Sequence, residues 1–327
     1  MSAQVKRVAA VLVFFFVATT AHAQTKSPQE TRNAALRYWL AFADLQDPPA
    51  DKTTADLLEK TAAGEAAWDE AKLGPILDKN ETAIWRMQRA TKLPDCDWGL
   101  EYDLGPRASI AYIPKARVLG RLNTLDGMRF AAKGNSQKAV DTWLAGIRFS
   151  QHLSKGGGLI FSLIAKMTLL SNFHALTHAS ESGTLRDAQR KQVEVLVRAL
   201  PETGFDWGEA LWYEQDALDM AVNQVAQAKN PAAYYQEMLG KPAPEDFKVP
   251  NPAEITAFHK LMSSAEEALR RSPDTASARL KALQESVKTL HPFFQEVIPS
   301  FTHINEARIE IQTARTQLLK AVAAKPN

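Results

Sequence analysis

Two histidines four residues apart are the side chains in this sequence best placed to do chemistry. His174 and His178 lie in an apolar stretch with helical spacing, so both rings leave one face of a predicted helix about one turn apart. That geometry suits two nitrogen ligands of a transition metal, and Glu181 or His152 would supply a third ligand. The zinc-protease motif, however, needs a glutamate directly after the first histidine, where this chain has Ala175. We therefore expect structural roles for both histidines, and neither a bound metal nor another cofactor.

A group of aromatic and acidic residues is the second candidate site. Four residues of one predicted helix belong to it: Trp207, Glu209, Trp212 and Tyr213. Indole and phenol rings beside carboxylates suit a sugar or a cationic ligand. The same spacing also fits core aromatics beside a solvated acidic face. Both interpretations are open, and the four residues stand as a candidate groove for a ligand or a partner.

The common nucleophile and phosphate motifs are missing from the sequence. There is no Gly-x-Ser-x-Gly elbow. The glycine run at 156–158 lacks both a preceding predicted strand and a following Gly-Lys-Ser/Thr. This run is better explained as the end of one helix and the start of the next. Because no catalytic set is complete, the sequence favours a protein that is not an enzyme.

The first 23 residues have the three parts of a secretory signal peptide. Lys6 and Arg7 give a positive start, residues 8–18 form a short apolar run, and small residues precede a cleavage site after Ala23. The apolar run is too short for a comfortable permanent membrane helix. We expect export to the periplasm or the medium, with no permanent membrane anchor after cleavage.

Charge argues against nucleic acid as a partner. The chain has 39 Lys and Arg against 37 Asp and Glu, and removing the two basic residues of the signal peptide balances the charges. The only local basic cluster surrounds Arg190 between positions 186 and 198. It alternates with acidic residues, which predicts a solvated helix face. A protein or a peptide is the partner that remains.

The single cysteine, Cys96, cannot form an intrachain disulfide, which is unusual for an exported chain. Burial as a small apolar side chain is the favoured interpretation, and a reactive thiol or intermolecular pairing are the alternatives. Packing alone must therefore stabilise the fold.

All of the candidate residues described above lie in or between segments with helical patterns. No alternating strand pattern of useful length occurs, so we predict an all-α fold. The Gly74–Pro75 pair is expected to break or kink one long helix, which then forms two pieces, and Pro299 to kink the last one. Three regions are predicted: a helical-hairpin domain at 24–229, a proline-rich loop or linker at 230–252, and C-terminal helices at 253–327 that pack on the first domain.

The clearest supersecondary unit spans residues 115–153. A helix up to about Ala132, a turn, and a second helix from Ser136 predict an antiparallel hairpin. Small, aromatic and turn-forming residues recur at the spacing of a tetratricopeptide repeat: Gly127, Phe130, Gly134, Ala139, Trp143 and Gly146. The unit therefore resembles one tetratricopeptide repeat. In that resemblance Gly127 and Ala139 let the helices approach closely, Gly134 takes the turn, and the two aromatic rings fill the space between the helices.

Two resemblances bear on architecture and function. The tetratricopeptide-like unit implies stacked antiparallel helical hairpins in an irregular α-solenoid, because one hairpin cannot bury its apolar face alone. The wider stretch 120–163 resembles, more loosely, exported bacterial helical proteins without an assigned function. We expect an exported, non-enzymatic interaction or scaffold protein that binds a peptide, a partner helix or an envelope component in a helical groove. The alternative is a metal- or carboxylate-dependent hydrolase that acts on envelope material.

Overall fold

The computed structural model describes residues 32–102, 104 and 110–324. Within these residues the fold is all-α, as predicted, with thirteen helices and no β-sheet. The helices are α1 (Ala34–Asp44), α2 (Lys52–Ala63), α3 (Glu70–Ala90), α4 (Tyr112–Ala132), α5 (Ser136–Ser154), α6 (Leu159–Glu181), α7 (Asp187–Ala199), α8 (Trp207–Gln227), α9 (Pro231–Leu239), α10 (Pro252–Leu269), α11 (Pro273–Val287), α12 (Pro292–Val297) and α13 (Phe301–Ala323). The predicted signal peptide and its cleavage after Ala23 lie outside the described residues.

Side-chain caps fix where the early helices begin. The carboxylates of Asp51 and Asp69 accept hydrogen bonds from backbone N–H groups three residues further on, at 2.9 and 3.2 Å. They satisfy donors that the first turns of α2 and α3 leave free. Gly64 ends α2 in the left-handed conformation, with φ +80°. The chain between these two helices is therefore a short, sharply bounded connection.

Proline acts at two positions differently from the prediction. The expected break at Gly74–Pro75 is wrong, because α3 runs unbroken through it. Pro75 lies near the start of the helix, and both Pro75 and Ala71, whose carbonyl it leaves without a helical partner, are exposed residues. Pro299 does more than kink the last helix. Ile298 before it is extended, with ψ 128°, and α12 and α13 are separate helices.

The helices α4, α5 and α6 form the centre of the fold. α4 and α5 make the predicted antiparallel hairpin, turned at Gly134 with φ +73°, and α6 packs along both. Around them, α3 packs against α4 and α5, α2 against α4 and α6, and α13 along α6. α1 lies against α3, while α8, α10, α11 and α13 pack in that order. Residues from Asn33 onward form one compact unit.

Trp143 holds the central hairpin together. A Cβ at Gly127 would lie 2.3 Å from Trp143 Nε1, so the indole fits only against a glycine, as predicted. The indole N–H donates to the Thr124 carbonyl at 3.1 Å, and the ring is buried. Gly146 allows a similar approach to Asn172 on α6. Such contacts belong to any closely packed helical hairpin. The tetratricopeptide-like solenoid architecture therefore stays a prediction.

The prediction of a solvated face is wrong at Arg190 itself. Its guanidinium is buried and donates to the carbonyls of Ser180 and Ala321 at 2.7 and 2.9 Å. Those carbonyls belong to the C-terminal turns of α6 and α13, where the helix dipole favours a cation. Arg190, which the sequence spacing assigns to the surface, therefore joins α7 to the ends of α6 and α13 in the core.

α6 is unusually apolar for a helix of a globular protein. By length and composition it is the one described helix that would suffice to cross a membrane, although most of the relevant stretch is buried within the fold. It packs against α4, α5, α8 and α13. The apolar composition of α6 follows from this packing, because most of the helix faces its neighbours in the core.

Cys96 is buried, as the sequence favours, with 6% of its surface exposed. Burial raises the pKa of its thiol to about 12. The thiol is therefore protonated at neutral pH and acts as a small apolar side chain.

Candidate functional site

His174 and His178 line a surface cavity beside α6. Its volume is about 700 Å³, and α4, α6 and the connection between α2 and α3 bound it. Both imidazoles are exposed. In the described part of the chain, no three His, Cys, Asp or Glu side chains are grouped to hold a metal ion. The two histidines thus share a cavity, as their spacing predicts, but they have no third ligand there.

The two residues considered as a third ligand lie elsewhere. His152 is in the aromatic core, with Nδ1 2.7 Å from the Tyr38 hydroxyl. Its backbone carbonyl accepts a hydrogen bond from the Trp98 indole at 2.8 Å. Burial, followed by two nearby cations, lowers the pKa of His152 to about 4. Glu181 lines a separate cavity beside α13. Neither side chain faces His174.

The four residues of the predicted aromatic groove do not share one surface. Trp207 is a core residue with 1% of its surface exposed, whereas Trp212 is 48% exposed. Five positions on an α-helix turn a side chain by about 140°, which separates the two indoles. Tyr213 stacks on Tyr102 with ring centroids 4.7 Å apart. Glu209 lies in the first turn of α8, where the helix dipole favours a carboxylate.

A neighbouring carboxylate occupies the helix start after the glycine run. Glu214 Oε2 accepts the backbone N–H of Leu159, the first residue of α6, at 3.2 Å. A Cβ at Gly158 would lie 2.8 Å from the same oxygen, so the carboxylate can approach only a glycine. Burial raises the pKa of Glu214. The glycine run is a helix start, and the chain's own carboxylate takes the position where an external anion would bind.

A groove across α3, α4 and α5, which we call the charged groove, is a feature that the sequence patterns did not indicate. Its volume is about 750 Å³, within the range of ligand sites. Its lining includes Trp85, Arg89 and Lys92 from α3, Asp126 and Phe130 from α4, and Lys138, Asp141 and Arg148 from α5. Side chains from three consecutive helices therefore face one open space.

Amide hydrogen bonds join the three helices beneath the charged groove. Gln88 Nε2 donates to Asn123 Oδ1 at 3.1 Å, and Asn123 Nδ2 donates to the Thr142 carbonyl at 2.9 Å. Asn123 is fully buried. Breaking either bond would leave a buried polar group unpaired, at a cost of about 1–3 kcal/mol. The base of the groove is therefore fixed before any ligand arrives.

Ion pairs hold part of the rim of the groove. Arg129 contacts Glu70 Oε1 and Asp78 Oδ1, each at 2.6 Å, and Lys133 reaches Glu70 at 3.2 Å. The hydrogen bond from Arg129 is the main reason that the pKa of Glu70 falls to about 2. The same bond raises the pKa of Arg129. These charges are satisfied within the protein.

Asp126 is a largely buried acid in the charged groove. Burial raises the pKa of its carboxyl to about 6, and an amide of Gln88 at 3.5 Å offsets part of that rise. A titratable group with a shifted pKa in a cleft is a common sign of a functional position. At neutral pH the Asp126 carboxylate is charged, and neighbouring groups of the fold offset only part of the cost of burying that charge.

Other cations of the groove remain available to a ligand. Lys92 and Arg148 are exposed, and neither forms an ion pair with any of the described residues. Arg89 lies over the ring of Trp85 at 4.8 Å, and that ring is 51% exposed. The groove thus offers positive charge beside an open aromatic surface.

The sequence did not predict the charged groove, and the reason is physical. Charges of both signs alternate along α3, and that pattern is typical of a solvated helix face. Trp85 is the one sequence feature that could have indicated the groove, because it is a large apolar side chain among the charged residues of α3. Only the packing of α3 against α4 and α5 turns this face into one wall of a groove.

Comparisons with known proteins add no assignment. The chain matches no protein-family model, no curated protein and no solved structure. The residues of the charged groove and of the cavity beside α6 are therefore the basis on which a function is inferred.

Proposed function

We propose that this protein is a non-enzymatic interaction protein that binds an acidic peptide segment of a partner in the charged groove. The exposed cations Lys92 and Arg148, on a groove whose base is already bonded, are the observation that carries the proposal. The predicted signal peptide, residues 1–23, is the reason to seek the partner in the periplasm or the medium.

The form of the charged groove supports a peptide ligand. It is open to solvent, and side chains from three consecutive helices line it. Helical grooves of this kind accept an amphipathic or extended segment whose side chains anchor at intervals. The hydrogen bonds of Gln88 and Asn123 fix the base in advance. Little reorganisation is then needed, which lowers the cost of binding.

Charge favours an acidic peptide over a basic one. Six Lys and Arg side chains line the groove, against the four acids Asp78, Glu81, Asp126 and Asp141. Asp78 is paired with Arg129, and Asp141 accepts hydrogen bonds from two glutamine amides. Glu81 and Asp126 reduce the positive charge of the groove, but the cations remain in excess. The exposed Lys92 and Arg148 have no comparable partner among the described residues. An incoming carboxylate would therefore meet uncompensated positive charge.

Trp85 supports an apolar anchor in the same ligand. Its ring is half exposed on an otherwise polar helix face. Tryptophan is enriched among the residues that dominate binding energy at protein interfaces, because it buries a large area in one contact. The peptide that fits best therefore combines acidic residues with at least one apolar side chain.

Selection of random peptides of about twelve residues on the immobilised protein tests the proposal. The unmodified protein is expected to enrich peptides rich in Asp and Glu that also carry an apolar residue. The double variant Lys92→Glu/Arg148→Glu is expected to lose that enrichment, because it reverses the charge of the groove.

Lys281→Glu is the matched control, since Lys281 is an exposed residue of α11 that lies outside the groove. This variant is expected to select the same peptides as the unmodified protein. Identical selections by the unmodified protein and the groove double variant would show that the peptides bind elsewhere, and the proposal would then be wrong.

A further inference from the structure

Two neighbouring cavities meet at His174, on the side of α4 and α6 where α2 packs. One is the cavity of about 700 Å³ described above, which we call the apolar cavity. The other, which we call the basic cleft, has a volume of about 250 Å³ and is lined by residues that include Arg117, Arg121 and Lys166. Ala63 and His174 line both. The two cavities therefore lie on either side of one imidazole.

The apolar cavity is suited to a hydrocarbon chain. Small and aromatic side chains make up most of its wall, among them Trp68, Ala131, Trp143 and Ala179, and Met128 adds a long apolar side chain. Alanine and glycine leave the space that larger side chains would fill. Its volume is typical of a small-molecule site, and apolar surface of this kind gains free energy when a hydrocarbon covers it.

The basic cleft holds two arginines side by side. Arg117 and Arg121 are one turn apart on α4, and neither forms an ion pair with any of the described residues. Burial, and after it the charge of Arg117, lowers the pKa of Arg121, while the carboxylate of Glu59 acts in the opposite direction. Like charges this close repel each other, and an anion between them would relieve that repulsion.

The charge balance of the cleft fits a head group with one negative charge. Lys166 is already paired with Glu310, and its side chain is mostly buried. Glu59 is the remaining acid that lines the cleft beside the two arginines. One net positive charge is left, which matches a carboxylate better than a doubly charged phosphate. The forked guanidinium donors also match the two oxygens of a carboxylate.

We propose that the apolar cavity and the basic cleft together bind a long-chain carboxylate. The hydrocarbon lies in the apolar cavity, and the carboxylate accepts hydrogen bonds from Arg117 and Arg121 beside His174. This site shares no lining residue with the charged groove, so the proposal does not depend on peptide binding.

Calorimetric titration of the full-length protein with dodecanoate, below the concentration at which it forms micelles, tests this proposal. Saturable binding at one site per chain is expected. Arg117→Gln/Arg121→Gln is expected to weaken the affinity by about tenfold or more, because charge-assisted hydrogen bonds are lost. Arg279→Gln/Lys281→Gln removes two exposed charges on α11 and is expected to leave the affinity unchanged.

A second variant tests the hydrocarbon end without touching the arginines. Ala66 lies in the connection between α2 and α3 and lines the apolar cavity. Ala66→Trp is expected to fill the cavity and to weaken dodecanoate binding by about tenfold or more. Because Ala66 is outside any helix, thermal unfolding of this variant should match that of the unmodified protein.

Three further ligands with the same dodecyl chain test the contribution of the head group. Dodecyl phosphate and dodecanol are each expected to bind more weakly than dodecanoate, and dodecyltrimethylammonium not to bind measurably. Tighter binding of the phosphate would overturn the assignment of a carboxylate. The proposal would also be overturned by equal binding of the ammonium compound, by no saturable binding of dodecanoate, or by an unchanged affinity in both site variants.

Discussion

The hydroxyl of Tyr38 lies 2.7 Å from Nδ1 of His152 and so joins α1 to the end of α5. Burial raises the pKa of Tyr38, which keeps its phenol protonated and able to donate. A protonated phenol can donate to Nδ1 or accept from it, so the tautomer of His152 sets the direction of this hydrogen bond. Burial lowers the pKa of His152 to about 4, so the imidazole is neutral at neutral pH. The fold thus depends on a neutral histidine.

We expect His152 to make the protein less stable as the pH falls from about 6.5 to about 4. The unfolded chain takes up a proton near pH 6.5, and the folded protein resists it until about pH 4, so protonation favours unfolding within that window. The loss should reach up to roughly 3 kcal/mol at pH 4. Urea unfolding of the unmodified protein and His152→Gln across this range measures the difference.

The glutamine variant keeps an acceptor for Tyr38 but cannot titrate, so its stability should fall less steeply with decreasing pH. The same substitution at the exposed His303 controls for loss of a histidine as such. Parallel curves for the unmodified protein and His152→Gln would contradict the prediction.

Asp126 is expected to have a pH effect of opposite sign. Its pKa is raised to about 6 in the folded protein, so its ionisation opposes folding as the pH rises from about 4 to about 6. Asp126→Asn should therefore stabilise the protein at pH 7 by roughly 1–3 kcal/mol and have little effect below pH 4. Urea unfolding at both pH values checks this. The same change at exposed Asp141 is the control, and an equal gain there would refute the explanation.

Gly127→Ala is expected to destabilise the protein by roughly 1–3 kcal/mol, because the added Cβ would lie 2.3 Å from the indole of Trp143. Gly74→Ala is the matched control in another helix. Its Cβ would lie 3.1 Å from Glu70 Oε1, which is a much smaller overlap, so it should destabilise the protein clearly less than Gly127→Ala. Urea unfolding measures both. Equal effects of the two changes would contradict the close packing described for Trp143.

Cys96 is expected to react very slowly with Ellman's reagent in the native protein. It is 6% exposed, and burial raises its pKa to about 12, so little thiolate is present at pH 8. Denaturation in guanidinium should release one rapidly reacting thiol per chain. Rapid reaction of the native protein would show that this region opens readily.

Local signals carried most of the fold prediction. Caps, turn glycines and apolar spacing are properties of a few adjacent residues, so the hairpin turned at Gly134 and the helix beginning at Leu159 are found where the sequence predicts them. The errors at Gly74–Pro75 and at Arg190 arise from tertiary context. Proline is tolerated near an exposed helix start, and an arginine is buried where helix ends supply carbonyl acceptors.

The candidate sites were harder to predict, because a groove belongs to several helices at once. Spacing on one helix correctly put His174 and His178 on one face. It could not show that α2 leaves a cavity beside them, or that Arg117 of another helix lines the same cleft as His174. Trp85 and Arg148 are 63 positions apart in sequence and meet in one groove only through the packing of α3 against α5.

Titration with a matched pair of peptides tests the function of the charged groove most directly. The pair consists of one selected acidic peptide and its copy with every Asp and Glu replaced by Lys. The unmodified protein should bind the acidic peptide at least about tenfold more tightly, and Lys92→Glu/Arg148→Glu should reverse that preference. A preference that is the same in both proteins, or no preference in either, would contradict acidic-peptide binding in this groove.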